Sequence, residues 1–140
     1  MLEILQNIIT ILTTDSILNA IVPVTNIFTG PVDVVNEQQL TLLYPQIQLH
    51  VLSESINAVP SNTRSTQLQI SIFSRNNQLE TINIYERLVT LLNYNSSQNP
   101  GTYDIFWEKV GGCSDQFESD RRIWHRAVTV DCWAQKPLTA

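Results

Sequence analysis

Between Thr66 and Asn93 the hydrophobic pattern changes its period once, and that change limits what the chain can fold into. Leu68, Ile70 and Ile72 alternate with Gln67, Gln69 and Ser71, the period-two pattern of a half-buried strand. After Ser74-Arg75-Asn76-Asn77 the pattern turns helical. Ile82, Ile84, Tyr85, Leu88, Val89, Leu91 and Leu92 form an apolar stripe, with Glu80, Asn83, Glu86, Arg87 and Thr90 outside it. Asn77 and Glu80 make an Asx-x-x-Glu variant of the capping box, so this helix begins near Gln78. A one-faced strand running directly into a one-faced helix has to fold back and bury both apolar faces together, which predicts an α+β architecture.

The rest of the chain extends the same order. Leu2, Leu5, Ile8, Ile9 and Leu12, flanked by Ile4 and Ile11, lie on one side of a helical wheel. Glu3, Gln6, Asn7, Thr10 and Thr13 take the other side. Asp15 is a good N-cap for a short second turn carrying Ile17, Leu18 and Ile21, and Pro23 ends that turn. Asn26-Ile27-Phe28 has the character of a brief strand before the Gly30-Pro31 turn signal. Gln46 to Ser53 alternates, with Ile47, Leu49 and Val51 opposite Gln46, Gln48 and His50. A third strand is expected from about Tyr103 to Val110, closed by Gly111-Gly112, and a last one from about Arg122 to Trp133. Clean alternation means one wet face per strand, the mark of an antiparallel sheet covered on one side. The expectation is a single domain over residues 1–140. It is an antiparallel sheet of about four strands, with two amphipathic helices on one face. The Ser- and Asn-rich connection from Glu54 to Ser65 is long for a hairpin loop; it is either a floppy loop or a protruding β-hairpin arm.

Composition bounds the function. At 140 residues the chain buries roughly 68% of its unfolded surface. Net charge is −5 and there are only two lysines, so a counterion-driven grip on nucleic acid is not expected. Charged residues make up 15%, fewer than usual, and such a surface desolvates cheaply against a partner. No apolar run approaches the length of about 18 residues that a membrane span needs. No basic region or small-residue cleavage site marks a leader, so a soluble protein made in a cytoplasm is expected. Cys113 and Cys132 are too few for a disulfide framework and read as packed free thiols.

No catalytic constellation emerges. His50 with Cys113 or Cys132 lacks a third orienting group, and Asp115, Glu118 and Asp120 lack calcium-loop spacing, so they read as a solvated acidic loop. No phosphate-cradling glycine loop or zinc spacing exists. Neither a metal, a cofactor nor a catalytic residue is expected. Arg122, Trp124 and Arg126 fall on one face of the last strand, with Trp133 near its end. Trp and Arg are the residue types most enriched at interface hot spots, although aromatics covering a sheet end under snorkelling arginines would look the same. Ile56 and Val59 in the arm, with Arg64, complete the candidate interface set.

Several of these segments together resemble the tail-completion or tail-terminator proteins of long-tailed bacteriophages. They are the helix Leu2–Leu12, the capped turn Asp15–Ile21, the strand Gln46–Ser53 after Tyr44-Pro45, the run Gln69–Arg75 leading into the Gln78–Asn93 helix, and the closing strand Val128–Trp133. The resemblance covers most of the chain in order and spacing and carries no invariant motif. It implies a non-enzymatic virion subunit forming a ring, usually a hexamer. Such a ring caps the tail tube, contacts the tube protein and the head connector or other neck proteins, and lets DNA pass through its channel without touching a membrane. Its place would be the virion neck, with assembly in the host cytoplasm. Six copies at −5 each carry about −30, a repulsive wall for passing DNA. Candidate channel-facing acids are Asp33, Glu37, Glu54, Asp115, Glu118 and Asp120. The alternatives are another neck protein such as a portal-bound adaptor or stopper, a subunit of a phage-derived secretion or injection device, and a small ligand-binding or enzymatic α+β domain.

Overall fold

A computed structural model describes residues 2–30, 42–57, 63–95, 104–119 and 122–135. Helix α1 (Leu2–Thr14) and the short α2 (Ser16–Ile21) lead through a 3-10 turn (Val24–Asn26) into β1 (Ile27–Thr29). Then come β2 (Gln46–Asn57), β3 (Thr63–Ser74), helix α3 (Gln78–Leu92), β4 (Asp104–Glu118) and β5 (Ile123–Gln135). The described strands form one five-stranded sheet in the order β1-β2-β3-β5-β4. The class is α+β, as the periodicities predict. The sheet is mixed rather than antiparallel throughout, because the three residues of β1 run parallel to β2.

Both helices cover one face of the sheet. Ile4, Ile8 and Leu12 recur every fourth residue of α1 and are fully buried, as are Ile84, Leu88 and Leu92 of α3. They pack on Ile47, Leu49, Leu68, Ile70, Ile72, Val128 and Val130, the alternate residues of β2, β3 and β5. The seam of α1 passes through Asn7 as well, which the helical wheel assigns to solvent. Asn7 is 8% exposed, and its Oδ1 accepts the indole N–H of the buried Trp107 at 2.7 Å. An unpartnered buried donor costs about 1–3 kcal/mol, so one amide on an apolar stripe is the cheaper arrangement.

The two caps are where the residue types place them. Asp15 accepts the Leu18 N–H at 2.8 Å, and Asn77 accepts the Glu80 N–H at 2.8 Å. Glu80 does not reach back to close the box. Its carboxylate accepts Ser74 Oγ at 2.7 Å and Asn76 Nδ2 at 3.1 Å, fastening the helix start to the end of β3. Asp15 has a second role, since Arg87 of α3 donates to it twice, at 2.8 and 2.7 Å. Arg87, which the wheel leaves in solvent, thereby ties α3 to α2.

Two expectations about the strands are corrected. Gly111-Gly112 does not end the third strand, which continues to Glu118. The pairing runs Trp107 to Cys132, Val110 to Val130 and Cys113 to Val128, so β4 takes one extra residue twice. A Cβ at Gly111 would lie 2.9 Å from Thr129 Oγ1, and the bulged strand can approach β5 there only because that atom is absent. The supposed acidic loop is therefore strand up to Glu118. The Glu54–Ser65 connection is also mostly strand: β2 and β3 stay paired to Asn57 and Thr63, and β3 remains paired with β5 as far as Gln135. The arm is thus the end of a wider sheet and not an isolated hairpin. Val59 and the rest of its tip lie outside the described residues.

The Asp15 site gives a test with its sign. The Arg87 guanidinium holds the Asp15 carboxyl below its usual range against the opposing effect of burial, and the Leu18 N–H assists. A carboxyl lowered by folding stabilises above its unfolded pKa of about 3.9, and that stability is lost as pH falls through the folded value. Asp15→Asn keeps the cap and should remove only this acid-sensitive part. Asp15→Ala should cost about 1 kcal/mol more from the missing cap. Urea midpoints of the three proteins at pH 7 and pH 3 read both.

Candidate functional site

The sheet's second face carries no described helix, and its side chains form the candidate surface. Because β2, β3 and β5 alternate, the residues opposite the core are Gln48 and His50, then Ser65, Gln67, Gln69, Ser71 and Phe73, then His125, Ala127, Thr129, Asp131 and Trp133. Ser55, Ser65, Trp133 and Phe106 stand in one row across four strands. A shallow groove of about 380 Å³ lies there, lined by Ser53, Ser55, Ser65, Gln67, Glu108, Asp131 and Trp133 among others. Trp133 is 45% exposed and its indole N–H is held by Glu108. Phe106, its cross-strand neighbour, is 41% exposed. Two half-open aromatics beside hydroxyls, an amide and carboxylates make a surface of the kind that contacts other proteins.

At the other end of this face Phe73 stacks on His125 with 4.3 Å between ring centroids, and Tyr44 meets Phe73 edge-on. His125 Nε2 and His50 Nδ1 are buried without a hydrogen-bond partner among the described residues. Burial pushes the His125 imidazole below its usual range; Glu118 pulls the other way and His50 adds to the depression.

The residues singled out from sequence do not converge. Trp124 and Arg126 are in phase with the core positions Val128, Val130 and Cys132 and so point to the helix-covered side. Trp124 packs its ring against Phe117 at 4.5 Å, and Arg126 lies 5.0 Å over the Tyr85 ring of α3. Arg126 also donates twice to Asp115, both at 2.8 Å. Arg122 does not share their face as strand periodicity predicts; it occupies the turn before β5 with φ of 54°. Trp133 is on the opposite face, and Arg64 pairs with Glu54 at 3.4 Å near the arm. Ile56 is in β2, opposite Arg64. Of the candidate channel acids, Asp115 and Glu54 are each engaged by an arginine, and Glu118 ends β4. Asp33, Glu37 and Asp120 lie outside the described residues. The groove residues Glu108, Asp131 and Phe106 carry no sequence signal, because only the register of four strands brings them together.

Among the described residues no cluster of His, Cys, Asp and Glu could hold a metal ion. Cys132 is buried on the core side, and burial pushes its thiol up to about 12. His50 sits on the other face, so the sheet separates the two. Cys113 is exposed rather than packed. It lies opposite Val128 on β4, the edge strand.

Two measurements check these assignments. Iodoacetamide at pH 8 should modify Cys113 fast and Cys132 only on unfolding, as read by intact and peptide mass. For His125, a folded value below the unfolded one means that stability is complete above about pH 6.5 and declines as pH falls through the folded value. His125→Phe, which keeps the stack on Phe73, should flatten the urea-midpoint profile between pH 6.5 and pH 5.

No protein-family model matches the sequence, and no curated protein is significantly similar to it. The fold does occur among solved structures. A chain from the "virion of native gene transfer agent (GTA) particle" superposes with a TM-score of 0.68, covering 90% of this chain and 90% of that one at 8% sequence identity. At that identity the likeness is one of fold.

Proposed function

We propose that this protein is a structural subunit of a phage-like virion, and that it acts as the tail terminator or tail-completion subunit. It forms a ring, six copies in the simplest case, that ends growth of the tail tube and offers its other side to the head connector. The observation that carries the reading is the near-complete overlap of this fold with a chain from a gene transfer agent virion, 90% of both. The order of segments that resembles tail-completion proteins supports it independently.

The surface chemistry agrees. Asp115 and Asp15 are each held by an arginine, Arg126 and Arg87. The outer face carries amide, hydroxyl, carboxylate and scattered aromatic side chains, a mixture found where proteins pack against proteins. A ring closes when one surface patch of each subunit meets a different patch of the next, and a closed ring is finite where a helical tube is not. The terminator's partners are then its own copies, the tube protein and a neck protein, with DNA passing through. Its setting is the virion, after assembly in the host cytoplasm.

Electron microscopy of particles made without this protein tests the role. Tails of irregular, overgrown length beside full heads are expected. Tails of normal length that fail to attach would assign it to another part of the neck. Intact particles would overturn the structural role altogether.

A further inference from the structure

Among the described residues, each edge of the sheet is closed along one half and open along the other, and the open halves are diagonal. On the first edge, β1 pairs with β2 only at Ile47, Gln48 and Leu49. Gly30, with φ of 95°, adds one bond to Leu49. From Val51 to Asn57 β2 continues, paired with β3 on its inner side. The outer backbone groups of Val51, Leu52, Ser53, Ser55, Ile56 and Asn57 meet no described neighbour. Val51 and Leu52 are 40% and 48% exposed, and the segment has neither Lys nor Pro, the residues that usually discourage strand addition.

On the second edge, the turn after α3 closes the first half of β4. The Trp107 N–H donates to the Asn95 carbonyl at 2.7 Å, and the Val110 N–H to Asn93 Oδ1 at 3.1 Å. Beyond the bulges, Cys113 to Glu118 runs along β5 with its outer side uncovered by any described element, and Phe117 there is 49% exposed.

The geometry points to pairing of these two half-edges between copies of this chain: residues 51–57 of one copy form an antiparallel ladder with residues 113–118 of the next. Polarity permits it. From β2 to β3 to β5 to β4 every step is antiparallel, so two subunits pointing the same way present β2 and β4 antiparallel to each other. Stagger permits it as well. Asp115 stands level with Ile47, and Glu54, the middle of 51–57, lies six ladder positions further along when counted on the unbulged β3, a slide of roughly 20 Å at ~3.3 Å each. Because β4 meets β2 directly, each copy adds four strands to the shared sheet, roughly 19 Å at ~4.8 Å per strand. A shear nearly equal to the width tilts the strands about 45°, at the upper end of the ~35–45° found in closed barrels. The diagonal offset is therefore what a continuous sheet closing on itself needs.

This inference rests on the ring reading and names the contact that builds it. The test uses the full chain with Cys113→Ser, in which the buried Cys132 stays unreactive. Ser53→Cys and Gln116→Cys, which share the outer face, opposite Gln67 and His125, are combined in one protein, treated with a short bismaleimide and compared with each single variant. A ladder of covalent oligomers from the double variant alone is the expected result, with rings visible by negative-stain microscopy. Dimers from Ser53→Cys alone would overturn the heterologous pairing. Rings without a ladder would overturn the strand contact and leave the ring reading standing. A ladder without rings would keep the contact and remove the ring. Neither would remove both.

Discussion

Strand β3 is the constraint on which the rest of the structure depends. It is paired with β2 from Thr63 to Phe73 and with β5 from Thr63 to Ser74, so a slip of one residue would turn Leu68, Ile70 and Ile72 out of the core. Those three side chains are completely buried beneath the helices. Truncating any of them to Ala would cost about 2–5 kcal/mol, a large share of the ~5–15 kcal/mol that holds a domain of this size together. The register so enforced carries outward through β5 to β4. It decides which residues line the groove, which arginine meets Asp115, and where each edge stays open.

Polar groups then fix what burial leaves loose. Hydrophobic contact is non-directional, and a helix laid on a sheet could otherwise slide or rotate. Asn7 against Trp107 and Arg87 against Asp15 join elements far apart in sequence, and Glu80 against Ser74 joins consecutive ones, each through an oriented bond. The α3 turn does the same at the sheet edge, where Asn93 and Asn95 occupy backbone donors of β4 that a stray strand would take. One half of the edge is guarded and the other meets no described neighbour, so the strand pairing proposed above has one geometry open to it, which links this fold's internal packing to its proposed role in a virion.

The amino-acid sequence by itself determined the elements and the class. Period and caps are local, so α1, α2, α3 and the cores of β2, β3 and β5 follow from side chains within a few residues of one another. It also determined which face of the sheet the helices cover; that Ser71 and the ring nitrogens of His50 and His125 are buried on the other face it did not show. It could not place the end of β4, because a glycine pair marks a turn or a bulge with equal ease, and only the close approach of Thr129 to Gly111 separates them. Nor could it separate Trp124 and Arg126 from Trp133, or set Asp115 on Arg126, Asp15 on Arg87 and Trp107 on Asn7. Those pairings span from 11 to 100 positions of chain, and each exists because long-range strand register and helix docking carry two distant residues to one place. The groove beneath Trp133 and the half-open edges belong to the same group, since they are properties of neighbouring strands and of no single segment.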